Sequence, residues 1–113
     1  MATYDNPVTL YRGLKEAWST ESSPHWTAKN PSKGQCRLSS LVFHELFGGE
    51  ILATDTPDGL HYYNSLDGKM WDLTISQFDE PIAFENRKMD ADQVLSEAVP
   101  ERLAALRKRL GLI

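Results

Sequence analysis

The chain has a single cysteine, Cys36, among its 113 residues, so no intrachain disulfide can staple it. No stretch approaches the ~20 consecutive apolar residues that a membrane span needs. The first residues, Met1 to Pro7, carry neither a basic cluster nor an apolar run and do not read as a signal peptide. A reducing, cytoplasmic compartment is therefore the expectation. Also missing are a G-x-x-x-x-G-K-[ST] phosphate loop and a G-x-G-x-x-G fingerprint, so no nucleotide is implied. Cys36, His25, His44 and His61 are four possible metal ligands, but none of the spacings is the CxxC or HxxxH of a metal site. Basic residues are scarce in the middle of the chain. From Glu45 to Glu85 there are nine acidic residues and one basic one, Lys69, a balance of −8. From Asn86 to Ile113, six basic and four acidic residues give +2, too dilute for a nucleic-acid footprint. An acidic middle also disfavours anionic membranes. Neither nucleic acid nor a membrane is an expected partner.

What remains is ordinary globular material: 41% hydrophobic, 10% aromatic and 25% charged. Since one domain typically takes ~100–150 residues, residues 1–113 are expected to form a single domain. Leu10, Leu14 and Trp18 recur at i, i+4, i+8, which predicts a short helix over Thr9 to Ser19 with one core-facing stripe. Thr20 to Gln35 is a polar loop, long for a compact domain, and such loops often carry function. It includes His25 and Trp26; Trp26 either walls a cleft or closes the core.

A second helix is predicted over Cys36 to Phe47, from the stripe Leu38, Leu41, Val42, Leu46 and the stop Gly48-Gly49. Then the period changes. Glu50 to Thr54 and His61 to Leu66 read as strands, with a turn at Thr56 to Gly59. Asp67-Gly68 is a hairpin signal, which returns the chain along Met70 to Thr74. Phe78, Ile82 and Phe84 suggest an irregular further strand. Asp90 is a plausible N-cap for a short helix, and Pro100 suits the first position of a last one, Glu101 to Leu110. Helices flanking a small antiparallel sheet make an α+β protein.

Cys36 follows Gly34 and Gln35 where a loop becomes a helix. A thiol there feels the positive end of the helix dipole and unpaired backbone N–H groups, and both favour thiolate. Arg37 adds a positive charge if it points that way. Position alone also allows a free cysteine that merely acts as a small hydrophobe. His61 and Asp72 tip the balance. If Asp67 and Gly68 are the central turn residues, cross-strand partners sum to 135, and His61 and Asp72 become diagonal neighbours on one face. Diagonal neighbours lie ~7–8 Å apart along the backbone, within side-chain reach. A longer loop would put them directly opposite. With the N-terminus of the helix over that face, the order is Cys36, His61, Asp72: nucleophile, base, and the carboxylate that orients the base.

The run of motifs His25-Trp26, Pro31-Ser32, Gly34-Gln35-Cys36, Phe47-Gly48-Gly49-Glu50-Ile51, His61-Tyr62-Tyr63-Asn64, Asp72-Leu73-Thr74 and Gln77-Phe78 resembles the YunG family, small uncharacterised bacterial proteins. More widely, the arrangement resembles the transglutaminase-like and papain-like core, where a cysteine heads a helix and the histidine and aspartate sit on successive antiparallel strands. That resemblance implies a cysteine hydrolase or acyltransferase acting on an amide, ester or thioester of a small molecule or peptide. No cofactor is implied. The backbone N–H of Cys36 is the expected first oxyanion donor. Gln35, Trp26 Nε1 and Asn64 are candidates for the second, and His25 for the cleft wall. The alternative is a binding or partner-interaction module that keeps the fold without catalysis.

Overall fold

The structure, a computed structural model, describes residues 4–112. Met1 to Thr3, where the signal-peptide expectation begins, lie outside the described residues. Helix α1 spans Pro7–Ala17 and starts earlier than its apolar stripe suggests. Asn6 and Thr9 form a reciprocal cap: Thr9 N–H donates to Asn6 Oδ1 at 3.0 Å, and Asn6 N–H donates to Thr9 Oγ1 at 3.3 Å. Pro7, in the first turn, has no N–H left to satisfy. Helix α2 is Cys36–Phe47, as its pattern predicts. Gly48 and Gly49 end it with φ near +76° and +75°. At Gly49 a Cβ would stand 2.2 Å from the Ser65 carbonyl oxygen, so the chain needs glycine there for space as well as for φ.

Four strands follow: β1 Glu50–Thr56, β2 Gly59–Leu66, β3 Lys69–Trp71 and β4 Arg87–Met89. They form one antiparallel sheet in the order β3-β2-β1-β4. Asp67 and Gly68 both have positive φ, 53° and 78°, as the tight two-residue turn demands. The β2–β3 register is the one the turn implies: Asn64 opposite Trp71, Ser65 opposite Met70, Leu66 opposite Lys69. Two expectations are corrected. The strand through Thr74 ends at Trp71, because Asp72 turns its carboxylate back to accept from Thr74 N–H at 3.1 Å, a bend that leaves the ladder. Phe78, Ile82 and Phe84 lie in an irregular strap, while pairing resumes at Arg87–Met89, next to β1. Helices α3 Ala91–Ser96, capped by Asp90, and α4 Pro100–Arg109 complete the chain. The observed architecture is a small α+β fold.

The two sheet faces have different covers. On β2 the side chains of Tyr62 and Asn64 point toward α2: Tyr62 joins the apolar core, and Asn64 Nδ2 donates to the Ser40 carbonyl at 3.1 Å. Ile51 and Ala53 of β1 pair with them and share that core with Leu10, Leu14, Trp18, Phe43 and Leu106. The opposite face carries Tyr63 and, by alternation, His61. It is covered by the strap. Tyr63 Oη donates to Asn86 Oδ1 and accepts from Asn86 N–H, both at 2.8 Å, and Phe84 meets the Tyr63 ring edge-on at 5.1 Å.

Candidate functional site

Helix α2 begins without a side-chain cap. Gln35 occupies the N-cap position, but its side chain makes no capping bond. The backbone N–H groups of the first turn therefore stay available around Cys36. Two residues earlier, Gly34 adopts φ +73°, where a Cβ would stand 2.3 Å from Ser23 Oγ; only glycine lets the loop enter the helix this tightly. Cys36 is half-buried. Arg37 turns away from it, donating to the Glu97 carbonyl at 3.1 Å and lying 5.3 Å from the centre of the Tyr62 ring.

His61 is 1% exposed. Its ring stacks on Tyr63 at 5.9 Å and meets Phe78 edge-on at 4.8 Å. Nε2 lies 2.6 Å from Asp72 Oδ2, and the carboxylate is itself nearly buried. The other carboxylate oxygen, Oδ1, accepts from Thr74 N–H and, at 3.4 Å, from the Thr74 hydroxyl. Burial alone would lower the His61 pKa and is the largest single influence on it. The hydrogen bonds to Asp72 and Cys36, and the charges of both, more than reverse it, so the pKa is raised from 6.5 to about 9. Cys36 lines the same cleft as the imidazole. With Nε2 held by Asp72, Nδ1 is the ring nitrogen left for the thiol.

The meeting happens in a way the sequence pattern misses. Helix α2 packs against the face of β2 opposite to His61, not over it. Strand β3 stops opposite Asn64, so along β2 toward His61 the edge has no β3 partner, and there the thiol and the ring reach the same cleft. The cleft has a volume of about 330 Å³. Its walls are His25, Lys33 and Gly34 on the loop side and Thr56, Asp58 and Leu60 at the β1–β2 turn, with Gln77 and Phe78 beside the ring.

Of the other expected residues, His25 lines this cleft, whereas Gln35, Trp26 and Asn64 do not. Asn64 projects from the other face of β2 and spends its amide on Ser40 under α2. Gln35 is fully buried, its Nε2 reaching the Ser19 carbonyl at 3.5 Å and its Oε1 lacking a partner. Trp26 packs against the core, with Nε1 buried and unpartnered. None of these three is placed at the cleft that holds Cys36 and His61. A cleft of about 390 Å³ lies elsewhere, between α2, α3 and α4; His44 lines it, away from Cys36 and His61. No group of three or more His, Cys, Asp or Glu side chains placed to hold a metal occurs among the described residues. The residue that sequence reasoning missed is Gln77. The motif Gln77-Phe78 was visible, but its position after an irregular turn gave no sign that its side chain returns to His61.

A family model described as YunG protein matches residues 6–112. A protein of Bacillus subtilis (strain 168) carrying the name "Uncharacterized protein YunG" is 36% identical over 95 residues, 84% of this chain and 83% of that one. No solved structure matches.

Proposed function

This chain belongs to the YunG family, and from the geometry of its cleft we propose that it is a cysteine-dependent hydrolase or acyltransferase built on a papain-like or transglutaminase-like core. One observation carries the reading: a buried imidazole bound at Nε2 to a buried carboxylate lines the same open cleft as a helix-leading cysteine. Cys36 is the nucleophile, His61 the proton carrier and Asp72 the group that orients and charges the imidazole.

With the thiol proton held on Nδ1, as the raised His61 pKa favours, the sulfur attacks the carbonyl carbon of an amide, ester or thioester. A C–S bond forms as the carbonyl π pair moves onto oxygen. The Cys36 backbone N–H, at the uncapped start of α2, is the donor nearest the sulfur for that oxyanion. Collapse expels the amine, alcohol or thiol, which takes the proton from Nδ1. Water, or a second nucleophile in acyl transfer, then gives its proton to Nδ1, attacks the acyl-thioenzyme and releases the sulfur. A cleft of about 330 Å³ suits a small molecule or the end of a peptide. The scheme draws on no cofactor.

The test is the rate of Cys36 alkylation by iodoacetamide across about pH 5–9, a range that brackets free histidine and free thiol. Wild type should react faster at about pH 6.5 than an unperturbed thiol does, and His61→Ala should slow it there. Equal rates for both proteins over the whole range would remove the enzyme reading and favour a binding module.

A further inference from the structure

Gln77 closes a ring of contacts around the His61 side chain. Its Nε2 lies 3.5 Å from His61 Nδ1. The same nitrogen donates to the Thr74 carbonyl and to Thr74 Oγ1, each at 3.2 Å. Thr74, 2% exposed, in turn gives its backbone N–H and its hydroxyl to Asp72 Oδ1, and Asp72 Oδ2 binds His61 Nε2. Imidazole, carboxylate, threonine and carboxamide form a closed circuit that touches both ring nitrogens. The circuit is anchored to the cysteine side of the cleft: Asn30 Nδ2 donates to the Gln77 carbonyl at 3.0 Å, and Ser32 Oγ lies 2.8 Å from Ser76 Oγ.

We propose that Gln77 is a positioning residue for His61, its carboxamide engaging Nδ1 whenever the ring is neutral and falling back on Thr74 when Nδ1 carries the proton. This rests on the Cys36–His61–Asp72 reading. The hydrogen count supports the exchange. A carboxamide nitrogen has two hydrogens, and three acceptors surround this one: Thr74 O, Thr74 Oγ1 and the Nδ1 lone pair. While the ring is neutral, with Nε2–H donated to Asp72, Nδ1 can accept a hydrogen from Gln77. When the S–H proton transfers to Nδ1, the products are a thiolate and an imidazolium, and Nδ1 becomes a donor. The two Gln77 hydrogens then fall on the two Thr74 oxygens, so the amide yields Nδ1 without losing a bond. At 3.5 Å the contact to Nδ1 is long for a hydrogen bond and easily given up, whereas a shorter one would compete with the thiol.

Asp72 and Tyr63 lie against the ring, and Cys36, His25, Lys33 and Asp58 line the same cleft; Gln77 is uncharged, so its influence can be read by titration against that constant background. The experiment follows the His61 ring resonances by NMR against pH in wild type, Gln77→Met and Gln77→Glu. Gln77→Met removes the donor that favours the neutral ring, so the midpoint should move up by about a few tenths of a unit. Gln77→Glu offers Nδ1–H a carboxylate and should raise it by about one unit or more. If Gln77 only braces Thr74 and the loop, Gln77→Met would loosen Asp72 and the midpoint would stay or fall. An unchanged or lower midpoint in folded Gln77→Met, or an unchanged one in folded Gln77→Glu, overturns the assignment. A repeat in Cys36→Ala, where the thiol no longer competes for Nδ1, should enlarge the Gln77→Met shift; loss of the shift there also overturns it. Alkylation kinetics play no part in this readout, so an unreactive Cys36 would defeat the proposed chemistry while leaving the ring titration to judge Gln77 separately.

Discussion

An imidazole withdrawn from water prefers to be neutral, yet His61 holds its proton up to about pH 9. The reversal comes from partners: a carboxylate at 2.6 Å and the cysteine at the same cleft. Asp72→Asn keeps the shape and an acceptor for Thr74 but removes the charge. In that variant burial should dominate, and the His61 NMR midpoint should fall well below about 9, with Cys36 alkylation slowed and the fold kept. A midpoint still near 9 would make Asp72 a structural acceptor only. Tyr63, on the same face, shows the opposite response to burial: its hydroxyl is pushed up from its ordinary value by desolvation and so stays protonated for Asn86.

At the scale of elements, strand β3 decides most. It has three residues, and its last, Trp71, is half-buried at the margin of the core, with Lys69 Nζ 4.4 Å from its ring centre. Full burial of this tryptophan against a helix, which strict alternation over Met70 to Thr74 suggests, is not what forms. Since truncating a fully buried tryptophan costs ~3–5 kcal/mol, Trp71→Ala should cost about half of that, near 2 kcal/mol by denaturant melt, without abolishing Cys36 reactivity. A loss above ~4 kcal/mol would mean that Trp71 carries core packing after all. The same strand shows what was legible in the residues. Local signals were readable: the Asp67-Gly68 turn set the register, and the apolar stripe with Gly48-Gly49 bounded α2 at both ends. The apolar stripe does not announce Asn6, because a cap does not share its period. Nothing in the sequence announces the strand at Arg87–Met89, because an edge strand of charged residues has no alternation to detect. The strap reads as a strand in the sequence because aromatics placed to cover Tyr63 and His61 resemble a sheet face. Cys36, His61 and Asp72 could be picked out by residue type and spacing; the face by which the thiol approaches could not, since it depends on where β3 ends.

For the molecule as a whole, the raised His61 pKa links folding to protons. A group whose pKa is higher folded than unfolded binds protons more tightly in the native state. Its contribution is therefore complete below the unfolded value of 6.5 and is lost as the pH rises through about 9. Melting temperature should accordingly decline between about pH 6.5 and 9, and this decline should shrink in Asp72→Asn, whose folded and unfolded values lie closer together. A wild-type melting temperature that is flat or rising over that interval would contradict the His61 assignment. Above it, the tyrosine hydroxyl held protonated by burial adds a further alkaline loss.

The order β3-β2-β1-β4 has a bearing on solution behaviour. It places the two three-residue strands on the outside and the longer, tyrosine-bearing and aliphatic strands within. Arg87 and Lys88 fence one rim, tied to Asp55 at 3.1 Å and Glu50 at 3.3 Å, and Lys69 stands on the other. A second copy approaching either rim finds few backbone rungs to extend and charged side chains that it would have to desolvate, which is how sheet proteins discourage edge-to-edge aggregation. The Ile51–Thr54 and His61–Asn64 segments, which would be prone to stack if stripped bare, are thus kept out of reach of their counterparts in neighbouring molecules while the outer strands stay paired.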